Sequence, residues 1–133
     1  MAIQTTLNSL SPFIRSVMRI MAGLLFLQHG TTKYLGIPAI QQFANVSPTS
    51  LSGIAGIFEL VGGALLVIGL FTRPVAFLCS GLMAVAYFMV HAPKSFYPIV
   101  NGGELAVLYC FVFLYLAVAG PGPLSVDGVR GKA

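Results

Sequence analysis

From Leu51 to Phe71 the chain runs through apolar and small residues with one ionisable side chain, Glu59, near the centre. As a helix this stretch is about 31 Å long, which matches the hydrocarbon thickness of a bilayer. An ionised carboxylate in that setting costs at least about 2.5 kcal/mol, so it requires a cationic partner, a proton or a water-filled cavity. What Glu59 meets therefore bears on how the helices associate and on whether they enclose a site.

Composition supports the membrane reading. Only 8% of the 133 residues are charged and 57% are hydrophobic, against about 25% charged in ordinary soluble domains. The mean hydropathy is +0.93. These values indicate an integral membrane protein, in contact with membrane lipid, built as one compact membrane domain over residues 1–133. The net charge of +4 comes from basic residues scattered along the chain, which form no nucleic-acid footprint and read as topology signals. Arg15 and Arg19 precede an apolar stretch, but no soluble domain follows it, so the stretch reads as a span and not as a signal peptide. Cys79 and Cys110 lie in apolar runs without Cys-x-x-Cys spacing and read as small packing residues.

Turn chemistry divides the chain into four helical segments, at about residues 12–33, 51–71, 74–91 and 103–119, followed by a tail over 120–133. Gly36-Ile-Pro38 and Ser47-Pro48 punctuate the first connection, Thr72-Arg73-Pro74 makes a tight second turn, and Pro93, Pro98 and Asn101-Gly102-Gly103 break the third. Gly120-Pro-Gly-Pro123 closes the last helix. No segment alternates with period two as a barrel strand would. The expected fold is all-α: a four-helix transmembrane bundle with antiparallel up-down topology. Arg15, Arg19, Arg73, Arg130 and Lys132 then share one side, and Lys33 and Lys94 the other. This excess places both termini in the cytoplasm of a bacterial cell, with the bundle crossing the inner membrane.

In the first helix Arg15, Arg19, Ala22, Phe26, His29 and Lys33 fall on one stripe, which should face the bundle interior. Ala55, Glu59, Gly62, Gly63 and Leu66 share a face of the second, where small residues allow close approach of another backbone. Ser80, Ala84, Tyr87 and His91 line up on the third, and Glu104, Leu108, Phe111 and Tyr115 on the fourth. The topology sets His29, Lys33, Glu59, His91 and Glu104 in the outer half of the membrane, with Lys94 and Asn101 just above. Three readings stay open. The cluster holds the helices in register; it binds a small molecule, most naturally a quinone headgroup, with His and carboxylate groups on the carbonyls and aromatic side chains on the ring; or Glu59, His29, His91 and Glu104 bind a metal, although the Glu-x-x-His repeat of di-iron bundles is missing. At the opposite end Asp127 is expected to pair with Arg73 or Arg19, folding the tail under the bundle.

His29-Gly-x-x-Lys33, Glu59-x-x-Gly62-Gly63-x-Leu65-Leu66-x-x-Gly69-Leu-Phe-Thr72-Arg73, His91-Ala-Pro93, Asn101-Gly-Gly-Glu104 and Gly120-Pro-Gly-x-x-Ser125-x-Asp127 occur in this order. Together these fragments resemble the DoxX family of small bacterial membrane proteins, over nearly the whole chain. The resemblance implies a four-helix inner-membrane protein. It also implies links to quinone-dependent sulfur oxidation, where a related subunit is tied to thiosulfate:quinone oxidoreductase, and to oxidant defence through partner proteins. Carried over by position, His29, Lys33, Glu59, His91 and Glu104 are the residues it marks.

The leading expectation is a membrane subunit of a quinone-linked oxidoreductase or oxidant-defence system, with a soluble or membrane-bound oxidoreductase partner. Glu59 would accept protons with His29 beside it as the catalytic pair. Lys33, His91, Glu104, Asn101 and Tyr87 would bind the ligand, and no metal is assigned. The chain carries no haem, flavin or paired-cysteine motif, so electrons would come from a partner or a quinone. The alternative is a non-catalytic membrane anchor or assembly factor for a partner protein. A small carrier is a third option; it would need a homo-oligomer to line a path, and the broken-helix pair common in transporters is missing.

Overall fold

A computed structural model of the chain describes residues 1–132 and contains helices but no strand among the described residues. Ala133, the last residue of the expected tail, lies outside them. The elements are α1 (Ala2–Tyr34), α2 (Leu51–Ile68), α3 (Thr72–Ala86), α4 (Pro98–Asn101), α5 (Glu104–Ala119) and α6 (Val126–Val129). A π-helical turn, Tyr87–His91, and a 3₁₀ turn, Ala92–Lys94, extend α3. Three helical stretches are long and apolar enough to cross a membrane: Ala2–Tyr34, Leu51–Ile68 and Thr72–Lys94. The protein is thus a helical membrane protein. α5 is as apolar but has only 16 residues, or about 24 Å.

α1 begins ten residues before the Pro12 boundary expected from sequence and runs for 33 residues. Pro12 resembles a helix start, yet it sits inside the helix. Upstream of it, hydroxyls bond back to carbonyls one turn earlier: Thr5 to Met1, Thr6 to Ala2 and Ser9 to Thr6. These bonds make a polar stretch compatible with a helix that continues beyond the bilayer. α2 starts where the Ser50 hydroxyl accepts the Gly53 N–H at 3.0 Å, a standard N-cap. It stops at Ile68 because Gly69 takes a left-handed conformation at φ +70°.

α1 packs along α2, and α3 along α5. Lipid tails supply no hydrophobic drive for this, so close backbone approach and internal polar contacts must hold the pairs together. A Cβ at Gly63 would lie 2.8 Å from the Leu27 Cα, and one at Gly30 would lie 2.6 Å from the Leu60 nitrogen. Only glycine fits at these two crossings. Between α3 and α5 the Ser80 hydroxyl donates to the Cys110 carbonyl at 2.7 Å. The two pairs meet through Phe26, whose ring stands edge-on to Tyr109 and Phe113.

Exposure follows the lipid. The buried faces are Arg19, Phe26 and Gly30 on α1, and Ala55, Glu59, Gly62, Gly63 and Leu66 on α2. On α5 the expected face is incorrect. Leu108, Phe111 and Tyr115 point outward and Glu104 is exposed, while Ala106, Tyr109, Phe113 and Leu116 are buried. Apolar residues surround α5 on every side, so its sequence pattern carries no phase. Glu104 suits its exposed place in the first helical turn, where the dipole favours a negative charge.

The tail does fold under the bundle, but the expected pairing of Asp127 with Arg73 or Arg19 is replaced by backbone contacts. Asp127 accepts the N–H groups of Phe71 at 3.0 Å and Thr72 at 2.9 Å. Its own N–H bonds the Gly69 carbonyl at 2.9 Å. It thereby caps α3, whose N-cap residue Phe71 has no capping side chain and sits at φ 53°. For a non-glycine residue that conformation costs about 1–2 kcal/mol, which the two Asp127 bonds help to offset. Arg19 is fully buried. Its guanidinium donates to the Leu66 carbonyl at 2.8 Å, to the Leu124 carbonyl at 2.6 Å, and to Pro121. Arg73 is exposed and donates to the carbonyls of Ala117 and Val118. Each cation thus meets carbonyls exposed by a helix end or by the proline-rich tail, where a guanidinium suits the negative end of the dipole.

Three outcomes follow from these contacts. Arg19→Leu leaves the Leu66 and Leu124 carbonyls without this donor, while Pro121 keeps the Ser16 hydroxyl, and should cost about 3 kcal/mol, measured as a lower melting temperature in detergent with a thiol-reactive dye that reports exposure of Cys79. Asp127→Asn keeps one acceptor and should cost about 1 kcal/mol. Burial would raise the Asp127 carboxyl, but the Thr72 and Phe71 N–H groups, helped by the Arg130 charge, hold it below its ordinary range. A carboxyl depressed by folding stabilises above its unfolded value of about 3.9 and loses that contribution as pH falls through the folded value. The wild-type advantage over Asp127→Asn should therefore shrink below about pH 4. Gly63→Val should separate α1 from α2 and lower the melting temperature by several degrees or more.

Candidate functional site

At the end of the bundle away from the tail, α1, α2, the α3 extension and α5 surround a cleft of about 840 Å³, within the usual range for small-molecule sites. The connection between α1 and α2 closes one side with Gln42, Phe43, Asn45 and Ser47. Apolar walls come from Ala55, Met83, Ala86, Val90, Leu105 and Ala106.

Lys33 and Glu59 form the centre of its polar wall. Lys33 Nζ lies 2.7 Å from Glu59 Oε1, with both side chains 7% exposed. The same ammonium donates to the Ser52 carbonyl at 3.1 Å and stands 5.5 Å from the centroid of the Phe43 ring. A buried cation thus has a counterion, a carbonyl and an aromatic face. The carboxylate that made α2 costly in a bilayer has its partner on α1, held close by the glycine crossing between the two helices. The pair is electrically neutral as a unit.

His91 reaches the cleft from the π-helical turn, a distortion that often marks functional positions. Its Nδ1 lies 3.0 Å from the Asn101 carbonyl oxygen. A carbonyl only accepts, so Nδ1 carries a proton, which leaves Nε2 as the acceptor in this tautomer. Buried Asn101 also donates to the Tyr87 hydroxyl at 3.1 Å and to the Ser95 carbonyl at 3.0 Å, and accepts the Gly103 N–H at 2.8 Å. Tyr87 and Asn101 therefore stand behind His91 and outside the cleft lining; they brace it where the sequence reading had them touching the ligand. His29 lines the cleft from α1 with its ring edge-on to Tyr109, centroids 6.3 Å apart.

Glu104 does not line the cleft. Among the described residues no three His, Cys, Asp or Glu side chains converge to hold a metal ion. The structure thus gathers Lys33, Glu59, His29 and His91 at one cleft, supports His91 with Asn101 and Tyr87, and leaves Glu104 aside. Arg19, Arg73 and Asp127 belong to the other end. Sequence reasoning missed Tyr109, which is 5% exposed and lines the cleft from α5. Its hydroxyl is buried with no hydrogen-bond partner among the described residues. The one available signal was the spacing of Ala106, Tyr109, Phe113 and Leu116, a helical face hidden among equally apolar neighbours. Phe43 was missed because its role depends on how the connection folds, and Ser52 because it contributes a backbone carbonyl that its residue type does not signal.

Comparisons with known proteins fit this architecture. The chain is 41% identical over 127 residues to an uncharacterized protein of Haemophilus influenzae, covering 91% of this chain and 93% of the relative. It is 29% identical over 113 residues to a Bacillus subtilis protein described as "Putative oxidoreductase CatD", covering 84% and 82%. It is 28% identical over 126 residues to the inner membrane protein YqjF of Escherichia coli, covering 87% and 91%. No solved structure matches the chain. The DoxX family model matches residues 14–92, from within α1 to the end of the π-helical turn. A match across more than half of the chain, on helices built to cross a bilayer, makes this inner-membrane protein a member of the DoxX family.

Proposed function

We propose that the chain is the membrane subunit of a quinone-linked oxidoreductase or oxidant-defence system, and that the cleft receives a quinone headgroup. The observation that carries this reading is the buried, internally neutral Lys33–Glu59 pair beside two imidazoles in an otherwise apolar cleft. A lone lysine would select an anion; a lysine already matched by a carboxylate suits an uncharged ligand with polar edges. The donor set fits such a ring. His29 and His91 line the same cleft as the pair, and the apolar walls can cover the faces of the ring.

A bound quinone would supply two-electron, two-proton carrier chemistry, and a partner oxidoreductase, soluble or membrane-bound, would supply the electrons. The residues of this chain would bind, orient and handle protons. Glu59 can take up a proton while Lys33 keeps its bonds to Ser52 and the Phe43 ring, so protonation of the carboxylate does not leave the ammonium unsupported. His91 offers Nε2 as an acceptor, and its brace through Asn101 holds that nitrogen in position. The oxidoreductase description of the Bacillus subtilis relative is in keeping with this assignment.

The proposed topology has four spans, with α5 as the fourth and both termini in the cytoplasm. Arg15, Arg19, Arg73, Arg130 and Lys132 then lie inside, and the cleft opens in the outer half of the membrane. A span of 16 residues is short for a hydrocarbon core of about 30 Å and favours local thinning or tilt of its neighbours. A second reading rests on the same ion pair. With its partners already satisfied, Lys33–Glu59 could serve only to lock α1 on α2 in a non-catalytic anchor or assembly factor.

Binding of a short-tailed ubiquinone analogue to purified protein separates the two. Wild type should bind, and Glu59→Gln should bind at least tenfold more weakly. The double variant Lys33→Met with Glu59→Gln controls for a stranded lysine and should recover stability without recovering affinity. No binding by the wild type, or equal affinity in all three proteins, favours the anchor.

A further inference from the structure

Tyr109 is placed as a binding group whose hydroxyl has no partner among the described residues. Its ring is immobilised, stacked on Phe113 at 5.3 Å and 10° and met edge-on by Phe26 at 5.4 Å and 68°. The hydroxyl is therefore fixed in direction. It is buried and has no hydrogen-bond partner among the described residues, although the residue lines the cleft beside His29. Leaving a buried polar group unmatched is costly, and in folded proteins such groups are rare enough to need a cause. Phenylalanine would fill the same aromatic stack without that cost. Of the other polar groups in this wall, Lys33 and Glu59 partner each other and His91 bonds Asn101.

The position of the residue narrows the ligand. Tyr109 enters from α5, while Lys33 comes from α1 and Glu59 from α2. A ligand reaching the phenol sits between the helix pairs and touches both. The walls near Tyr109, Met83 and Ala106 are apolar, so the group that meets the hydroxyl is an acceptor carried on an apolar frame. A ring carbonyl has this chemistry.

We infer that the Tyr109 hydroxyl is the hydrogen-bond donor to a carbonyl oxygen of the ligand in the cleft, and that this single bond positions the ring between the α1–α2 and α3–α5 pairs. The inference rests on the quinone reading above and adds a residue, a direction and a ligand atom to it.

Tyr109→Phe tests it with two readouts. Without ligand, the variant should melt at or above the wild-type temperature in detergent, because an unmatched hydroxyl is removed from a retained aromatic stack. With 2,3-dimethoxy-5-methyl-benzoquinone as probe, its affinity should fall about tenfold. The corresponding ring without carbonyls should bind both proteins alike. A clear loss of melting temperature would show that the hydroxyl is already satisfied by a group or water in the ligand-free protein and would overturn the inference. So would equal affinity of the two proteins for the benzoquinone, which would leave the quinone reading standing. No binding by the wild type would overturn the quinone reading itself, and this inference with it.

Discussion

Hydrocarbon cannot hydrogen-bond, so each charge this chain carries into the bilayer must find its partner inside the protein. Two such charges organise the molecule, and they are matched in different ways. Arg19 is neutralised by dipoles, with the carbonyls of Leu66, Pro121 and Leu124 arranged around its fork. Glu59 is neutralised by a counter-charge, Lys33, at 2.7 Å. The first arrangement needs planar, divergent donors, which arginine has. The second needs a point charge on a flexible stem, which lysine has. Each residue type matches its task, and exchanging them would satisfy neither end.

Both arrangements depend on backbone contact between α1 and α2. The crossings at Gly30 and Gly63 bring the two helices close enough for a lysine on one to reach a glutamate on the other without extending into lipid. Arg19, one end of the same helix pair along, reaches the last turn of α2 for the same reason. The glycine crossings and the charges therefore form one device. Packing sets the distance, and the polar contacts set the register, which dispersion forces alone would leave loose among similar apolar side chains.

Much of this was legible from residues whose placement in lipid is restricted. The stripe carrying Arg19, Phe26, His29 and Lys33 had to face inward because the other faces of α1 are apolar, and the small residues around Glu59 marked the close face of α2. Asp127 was legible as a residue that folds the tail back, but not in its choice of partner. Its sequence neighbours do not reveal that Phe71 takes a left-handed conformation and leaves two N–H groups open at the start of α3. α5 could not be oriented, because a helix apolar on all sides has no hydrophobic period. Its one charged residue, Glu104, suggested a face that the helix turns outward. Tyr109 was hidden for the same reason, although it reaches the cleft and Glu104 does not.

The two ends of the bundle differ in whether an unmatched polar group belongs to a cleft, and this difference bears on function more directly than charge does. At the tail end, Arg19, Ser16, Asp127 and the tail backbone satisfy one another, and the proline-rich segment fills the space between them. Two further buried polar atoms at this end, Arg15 Nε and Thr72 Oγ1, have no hydrogen-bond partner among the described residues, but neither residue lines the cleft. At the other end the ion pair is complete, but His29 from α1 and Tyr109 from α5 line the cleft, and the Tyr109 hydroxyl has no partner among the described residues. A bundle stabilised only for its own sake would gain by replacing Tyr109 with phenylalanine, which stacks equally well. Retaining the hydroxyl makes physical sense if something that enters the cleft accepts its proton in a hydrogen bond, and the stability held at the tail end lets the cleft end keep that group unmatched.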